Sequence, residues 1–151
     1  MPLPASLHAT FVTGSQPYGN LENLLRRSLA RSGVAVVAER GKASAVLTIL
    51  RESSERRVRA VNADGRPAEY ALDYRVRYQL LGDDGAVLLA PQSLHLSRDY
   101  AYSPTVELGV GREQSAILAE LQADAARLIL LRLEALGRSI PAPAAASGGT
   151  R

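Results

Sequence analysis

The sequence predicts an α+β fold, a two-layer sandwich in which two helices pack on one face of a mostly antiparallel or mixed β-sheet. Three observations predict it: a long alternating strand in the middle of the chain, a hairpin turn on each side of it, and two helices that each carry one apolar stripe. Because the sheet and both helices have a single apolar face each, packing them together buries all three faces. The other face of the sheet should stay exposed and charged.

Length and composition indicate one domain followed by a tail. The chain has 151 residues, of which 46% are hydrophobic, and this is enough to bury a core. We expect the domain to span 1–138 and a disordered Ala/Pro/Gly-rich tail to span 139–151, because such a composition cannot form a core. A net charge of +3 gives no support for a nucleic-acid partner. The absence of cysteine excludes disulfides and thiolate chemistry.

The first part of the chain predicts a strand, a helix and a second strand. Residues 8–13 form the first strand. Asn20 is the expected N-cap of the helix, with Glu22 in its first turn, and Gly33 is the expected stop. The helix carries leucines at helical spacing: Leu21, Leu24, Leu25 and Leu29. Residues 34–38 form the strand that follows.

The middle of the chain predicts two hairpins. A strand over 43–61 leads into the Asp64-Gly65 turn, and a second strand begins near Ala68. Its even positions from 70 to 80 are aromatic or aliphatic and its odd positions are mostly polar, so one face is apolar and the other charged. After a turn at 83–85, the last strand covers 87–102, with Pro91 breaking or bulging it near an edge.

The last element is a long helix over about 112–136. Its spacing predicts a buried stripe of Ile117, Leu121, Ala125, Leu128 and Leu131, widened by Leu118 and Leu133.

No pattern in the chain predicts catalysis. His8 and His95 lie in different strands without a partner at ligand spacing, so no metal site is expected. A phosphate-binding glycine loop, a nucleophile elbow and paired carboxylates are absent from the sequence. Arg98 and Asp99 are interpreted as an ion pair at a strand end. We therefore expect no enzyme and no cofactor.

Six arginines fall on the two strands that the Asp64-Gly65 turn should pair: Arg51, Arg56, Arg57, Arg59, Arg75 and Arg77. With an in-phase register, the odd-numbered members from Arg57 onward would share the polar face. Two interpretations stay open: a site for polyanions or a phosphorylated lipid, or a solvated face that nearby carboxylates neutralise. Tyr100 and Tyr102, at a strand end, are candidates for contact with a partner.

An ordered set of motifs resembles a known family. The segments are LENLLRRSLARSGV at 21–34, DGRPAEY at 64–70, SRDY at 97–100, and Glu113 followed by DAARLILLRL at 124–133. Together they cover most of residues 6–136 and are similar to the lipopolysaccharide-assembly lipoprotein family LptE of Gram-negative bacteria. The family fold, helices on a β-sheet, agrees with the predicted sandwich.

The resemblance implies a non-enzymatic outer-membrane lipoprotein that faces the periplasm, plugs and helps assemble the LptD β-barrel, and binds lipopolysaccharide. It implies a lipid anchor on an N-terminal cysteine, so we expect this chain to be trimmed past its signal peptide and lipidation site. Family positions linked to lipopolysaccharide fall near Ala63 and Val110, which makes the neighbours Arg59, Arg66 and Arg112 the expected binding residues. The alternative is a freestanding periplasmic ligand-binding or chaperone-like module without a barrel partner.

Overall fold

The computed structural model of the protein describes residues 7–16, 19–101 and 110–139, with the side chains of the last range described from 113 to 136. Its elements are β1 (Ala9–Gly14), α1 (Asn20–Arg31), β2 (Ala35–Val36), a 3-10 turn (Arg40–Lys42), β3 (Ala45–Val61), β4 (Pro67–Gly82), β5 (Val87–Ala101) and α2 (Val110–Ser139). The strands form one sheet in the order β2-β1-β3-β4-β5. β1 is parallel to β2 and β3, and the two hairpin pairs are antiparallel. This mixed sheet with two helices confirms the predicted α+β class.

The two helices contact each other and share one hydrophobic core with a single face of the sheet. The predicted even face of β4 is buried throughout and belongs to the same hydrophobic core as side chains of both helices, among them Leu25 of α1 and Leu121 of α2. The alternation of β4 therefore places its apolar side chains under the helices and its arginines on the opposite, open side.

The N-terminus of α1 differs from the prediction. Gly19, not Asn20, is the N-cap, and it makes no side-chain capping bond. The Asn20 side chain instead donates a hydrogen bond of 2.6 Å from Nδ2 to Gln122 Oε1 of α2. The predicted stop is confirmed, because Gly33 follows the helix with φ of 90°, a conformation that favours glycine.

The buried stripe of α2 agrees with the prediction at Ile117, Leu121, Ala125 and Leu133, which are buried. It differs at Leu131, which is 48% exposed, and at Ile129, which is fully buried and was not predicted. α2 packs against α1 as well as against β4 and β5, so its buried face follows two surfaces and not one. The helix continues to Ser139. The rest of the predicted tail, 140–151, lies outside the described residues.

β3 changes character at a bulge. Its first five residues pair with both β1 and β4, while the segment after Leu50 pairs with β4 alone. The register shifts at Leu50, so odd residues such as Ile49 face the helices before it and even residues such as Glu52 face them after it. A second shift occurs at Arg59. The predicted irregularity at Pro91 is confirmed by a register shift between Gln92 and Leu89 in the edge strand β5.

No helix within the described ranges combines the length and the hydrophobicity needed to cross a lipid bilayer.

Candidate functional site

We call the face of the sheet opposite the helices the open face. It carries the side chains of Arg51, Ser53, Glu55, Arg57, Arg59, Glu69, Asp73, Arg75, Arg77, Ser93, His95, Ser97 and Asp99. One part of this face forms a groove of about 750 Å³, whose polar lining consists of Arg51, Ser53, Ser54, Glu55, Arg75, Arg77, Ser93 and His95. In β3 and β4, Arg51 lies opposite Arg77 and Ser53 opposite Arg75. The in-phase register expected for the odd-numbered arginines is therefore present, and Arg59 joins them through the second bulge.

One end of the open face is occupied by ion pairs around Asp73. Arg57 Nε lies 2.7 Å from Asp73 Oδ2, and His95 Nε2 lies 3.4 Å from Oδ1. Asp73 is only 4% exposed. The hydrogen bond from Arg57 is the main cause that lowers the pKa of Asp73 from 3.8 to about 2, with Ser97 and His95 contributing, so this carboxylate stays ionised.

The same end carries a second, more exposed pairing. Arg59 Nε lies 2.6 Å from Asp99 Oδ2 and 3.3 Å from Glu69 Oε1. The predicted ion pair between Arg98 and Asp99 is wrong, because neighbouring residues of a strand point to opposite faces. Arg98 instead pairs with Glu120 and Asp124 of α2 on the covered side.

The other end of the open face holds three arginines in a different state. Arg51, Arg75 and Arg77 form no ion pair with any residue in the described part of the chain. Arg77 donates a hydrogen bond of 3.0 Å from Nη1 to Ser93 Oγ. All three side chains are exposed and line the groove. The sequence placed them in the cluster of six but could not separate them from the paired arginines.

The residues expected to bind lipopolysaccharide lie apart from this end. Arg59 sits in the ion pairs described above, and Arg66 is exposed in the β3–β4 turn, where its backbone N–H donates to Asn62 Oδ1 at 3.1 Å. Arg112 lies in the first turn of α2, and its side chain is outside the described residues. The structure therefore brings Arg59 and Arg66 to the outer end of one hairpin.

The two tyrosines proposed as partner contacts have different outcomes. Tyr100 is 8% exposed and belongs to the core. Its ring centroid lies 5.7 Å from that of Tyr70, and its hydroxyl lies 3.4 Å from Gln114 Oε1 of α2. A ring in this position packs the sheet against α2 and offers little surface to a partner. Tyr102 lies outside the described residues.

A polar network on the covered side was missed at the level of sequence. Tyr74 donates a hydrogen bond of 2.5 Å to Glu52 Oε2, and Gln122 Nε2 donates to the same oxygen at 2.9 Å. Burial, followed by the bond to Glu52, raises the pKa of the Tyr74 hydroxyl, so it stays protonated and donates. Through Gln122 and Asn20 the network connects β3, β4, α2 and α1. Glu52 reaches this side only because of the bulge at Leu50, which the sequence does not reveal.

A second missed residue is Glu22, whose side chain is fully buried. Neither carboxylate oxygen has a hydrogen-bond partner among the described residues. Burial is the main cause that raises the pKa of Glu22, and the charge of Glu52 also raises it, while the backbone amides of Glu22 and Gln16 and the charge of Arg26 oppose the shift. A signal existed in the sequence: Glu22 lies three and seven residues before Leu25 and Leu29, on the apolar side of α1.

The comparison with protein families decides where the chain belongs. Residues 7–133 match the model of the family LptE, described as lipopolysaccharide-assembly. The chain belongs to the LptE family. The match runs from the start of the described residues, just before β1, into the last part of α2, so it includes every strand and both helices.

Curated relatives carry the family name. "LPS-assembly lipoprotein LptE" of Photorhabdus laumondii is 28% identical over 131 residues, covering 87% of this chain and 71% of that protein. The protein of the same name from Pectobacterium atrosepticum is 28% identical over 134 residues, with the same two coverages. These LptE relatives are named as lipoproteins of lipopolysaccharide assembly, and the family places this chain in that process.

Solved structures share the fold. The crystal structure of rare lipoprotein B from Shewanella oneidensis has a TM-score of 0.72 at 26% identity, covering 83% of this chain and 92% of that one. The solution structure of an uncharacterized lipoprotein B from Nitrosomonas europaea has a TM-score of 0.78 at 24% identity, covering 92% and 87%. The second likeness concerns the fold alone. An LptE-family chain with this sheet and these helices thus has solved counterparts of the same architecture.

Proposed function

We propose that this LptE-family chain is a non-enzymatic accessory of lipopolysaccharide assembly at the outer membrane, which plugs and helps assemble the LptD β-barrel and binds lipopolysaccharide. The observation that carries the proposal is the family match over 7–133. The structure supports it with a hydrophobic core covered by two helices and a charged open face that contains a groove. Such a molecule is suited to contact with neighbours, because its polar groups lie on a broad surface.

A lipid anchor completes the proposal. The curated relatives are named lipoproteins, and we infer that the protein faces the periplasm and is held at the outer membrane by an N-terminal lipid. The 151 residues contain no cysteine, so the lipidated cysteine that we propose is not among them.

Recovery of the complex tests the plug role directly. The lipidated full-length protein, carrying an affinity tag at its C-terminus, should co-purify with LptD from detergent-solubilised outer membranes. The control is a tagged periplasmic protein of similar size, which should not recover LptD. Recovery of the tagged protein from outer membranes without LptD would contradict the plug role and leave the family assignment intact.

Arg59, Arg66 and Arg112 remain the residues proposed for lipopolysaccharide from the family resemblance. Replacing Arg59 and Arg66 by Glu should weaken lipopolysaccharide binding, and the effect should shrink as salt is raised, since exposed charges are screened. Arg27 and Arg40, also exposed but on α1 and the 3-10 turn, provide a control pair with the same charge change. Equal binding by both double variants would retire this hairpin site without affecting the plug role.

A second candidate function is a freestanding periplasmic ligand-binding or chaperone-like module. The groove of about 750 Å³ on the open face favours it, because small-molecule sites occupy about 300–1,000 Å³. A stable complex with LptD would exclude a freestanding role. Binding of lipopolysaccharide by a protein that never associates with LptD would favour it.

A further inference from the structure

The arginines of the open face divide into a paired group and an unpaired group. Arg57 and Arg59 each contact a carboxylate within 3 Å. Arg51, Arg75 and Arg77 contact none in the described ranges, and they occupy neighbouring positions of β3 and β4. The division is spatial, since the paired arginines lie toward the β3–β4 turn and the unpaired ones toward the middle of the sheet.

The unpaired group costs the fold stability. Arg51 lies directly opposite Arg77 in the β3–β4 register, and Arg75 is two residues away on the same face. Like charges in directly opposed positions of a sheet destabilise it. The one carboxylate lining this groove, Glu55, forms no ion pair with any described residue. The internal contacts of the sheet therefore leave two to three positive charges uncompensated, and an anion from outside would compensate them.

We propose that Arg51, Arg75 and Arg77 form a binding site for a phosphorylated sugar on the open face of the sheet. The guanidinium group presents a planar fork of N–H donors that matches phosphate oxygens two at a time. Ser53 and Ser93 border the arginines in the register and supply hydroxyls that can bond to sugar hydroxyl groups.

The shape of the site favours a compact head group over the flat surface of another protein. The groove holds about 750 Å³, within the range of small-molecule sites. Arg77 is already oriented by its 3.0 Å bond to Ser93, which reduces the entropy lost when it binds an anion. This inference rests on the proposed function in one respect: it takes the phosphorylated sugars of lipopolysaccharide as the source of the anion.

The site differs from the residues proposed at the hairpin turn. Arg59 is neutralised by Asp99 and Glu69, and Arg66 lies beyond it in the turn. The unpaired arginines are the ones that gain most from an added phosphate, because none of them forms an ion pair with a carboxylate of the described residues.

The test compares phosphorylated and dephosphorylated lipopolysaccharide. Binding of each to the full chain is measured by titration calorimetry for wild type, Arg75→Gln/Arg77→Gln and the control Arg27→Gln/Arg40→Gln, which removes two charges elsewhere. The first variant should bind phosphorylated lipopolysaccharide about tenfold more weakly, as expected for lost bonds to a charged group, and the control within about twofold of wild type. Dephosphorylated lipopolysaccharide should bind equally to all three. Inorganic phosphate is titrated as a separate probe.

Three results would overturn the proposal. One is equal affinity of Arg75→Gln/Arg77→Gln and the control Arg27→Gln/Arg40→Gln for phosphorylated lipopolysaccharide. Another is tight binding of inorganic phosphate with no competition against lipopolysaccharide, which would identify a free-anion site. The third is loss of LptD co-purification in Arg75→Gln/Arg77→Gln with unchanged glycolipid affinity, which would identify an acidic protein surface as the occupant. Failure of the wild-type chain to recover LptD would contradict the plug role alone, since the calorimetry needs no barrel.

The variants can be checked for folding independently. Because the substitutions relieve repulsion between exposed arginines, thermal unfolding of Arg75→Gln/Arg77→Gln should occur at or slightly above the wild-type temperature. If this variant unfolds at a lower temperature than the wild type, Arg51→Gln alone serves as the second variant. It should also bind phosphorylated lipopolysaccharide more weakly than the wild type, with a smaller loss of affinity than the double variant.

Discussion

Two carboxylates on opposite sides of the sheet are almost equally buried, yet their surroundings shift their pKa values in opposite directions. Glu22 on the covered side is 0% exposed and has no hydrogen-bond partner in the described chain, and burial raises its pKa. Asp73 on the open face is 4% exposed and bonded to Arg57, and its pKa falls to about 2. Burial disfavours both charged forms, and the partner decides which direction wins.

The comparison extends to the two faces as a whole. The covered face obtains its stability from apolar area removed from water, and a charge placed there finds few donors. The open face contributes little apolar burial, but three of its carboxylates are paired with Arg57 or Arg59: Glu69, Asp73 and Asp99. One face therefore stabilises the fold, and the other can change its charge pattern at little cost to stability, as a binding surface requires.

Truncation in the core should give the largest effect. Leu72→Ala, on the covered face of β4 and 1% exposed, should lower the free energy of unfolding by about 2–5 kcal/mol. Arg75→Ala, three residues away on the open face, should change it by no more than about 0.5 kcal/mol. Urea denaturation measures both. Similar losses of unfolding free energy for the two variants would contradict the different contributions that we assign to the two faces.

Glu22→Gln should stabilise the protein at pH 7, by about 1–2 kcal/mol, because it removes an unpartnered buried charge. The sign follows from the raised pKa: the wild type gains stability as pH falls through the raised value toward the ordinary 4.5. The difference in stability between the variant and the wild type should therefore become smaller as the pH is lowered. Melting temperatures from pH 8 to 4 measure it, and a variant less stable than wild type at pH 7 would show that Glu22 has a bonded partner.

Asp73→Asn should destabilise by about 1 kcal/mol at pH 7, since Arg57 is half exposed and its pairing is partly screened. Here the lowered pKa gives the opposite pH dependence. The stabilisation by Asp73 is complete above the ordinary value of 3.8 and is lost as pH falls toward about 2. Asp83→Asn, in the exposed β4–β5 turn, is the control and should leave the free energy of unfolding at pH 7 within about 0.5 kcal/mol of the wild-type value. The midpoints of urea denaturation, measured for both variants and the wild type between pH 2 and 7, test this prediction.

Arg98→Gln should have the smallest effect and should lower the free energy of unfolding by about 0.5 kcal/mol or less. Arg98 pairs with Glu120 and Asp124 at the partly exposed edge between β5 and α2, where ion pairs contribute little. Any loss should disappear in 1 M NaCl, where charges are screened within about 3 Å. A larger loss that persists in salt would mean that the Arg98 stem stabilises α2 by packing.

The sequence predicted the layout of the fold well and the state of individual side chains less well. Period-two alternation in β4 was sufficient to assign its two faces, because a strand has only one way to divide its side chains. The stripe on α2 was misplaced at Leu131, since a helix that packs on two partners buries a wider arc than one stripe. Asn20 and Glu22 were assigned to helix capping and to the helix dipole, and in the structure they belong to contacts with α2 and to the core.

The candidate site shows the same limit. Sequence parity was sufficient to group Arg57, Arg59, Arg75 and Arg77 on one face. It could not tell which of them have carboxylate partners, because Arg59 finds Asp99 across two strand pairs, and a bulge at Arg59 brings them together.

The sequence by itself determined the order of elements, the two hairpins, the apolar and charged faces of β4 and the family, because these depend on local periodicity and on motif order. Only the tertiary structure decided that Glu22 is buried without a partner, that Tyr100 belongs to the core, and that Arg51, Arg75 and Arg77 remain unpaired. Those properties arise from contacts between residues distant in the chain. In β3, the bulges at Leu50 and Arg59 also decided the faces to which Glu52 and Arg59 point, because each bulge shifts the register by one residue and so exchanges the two faces.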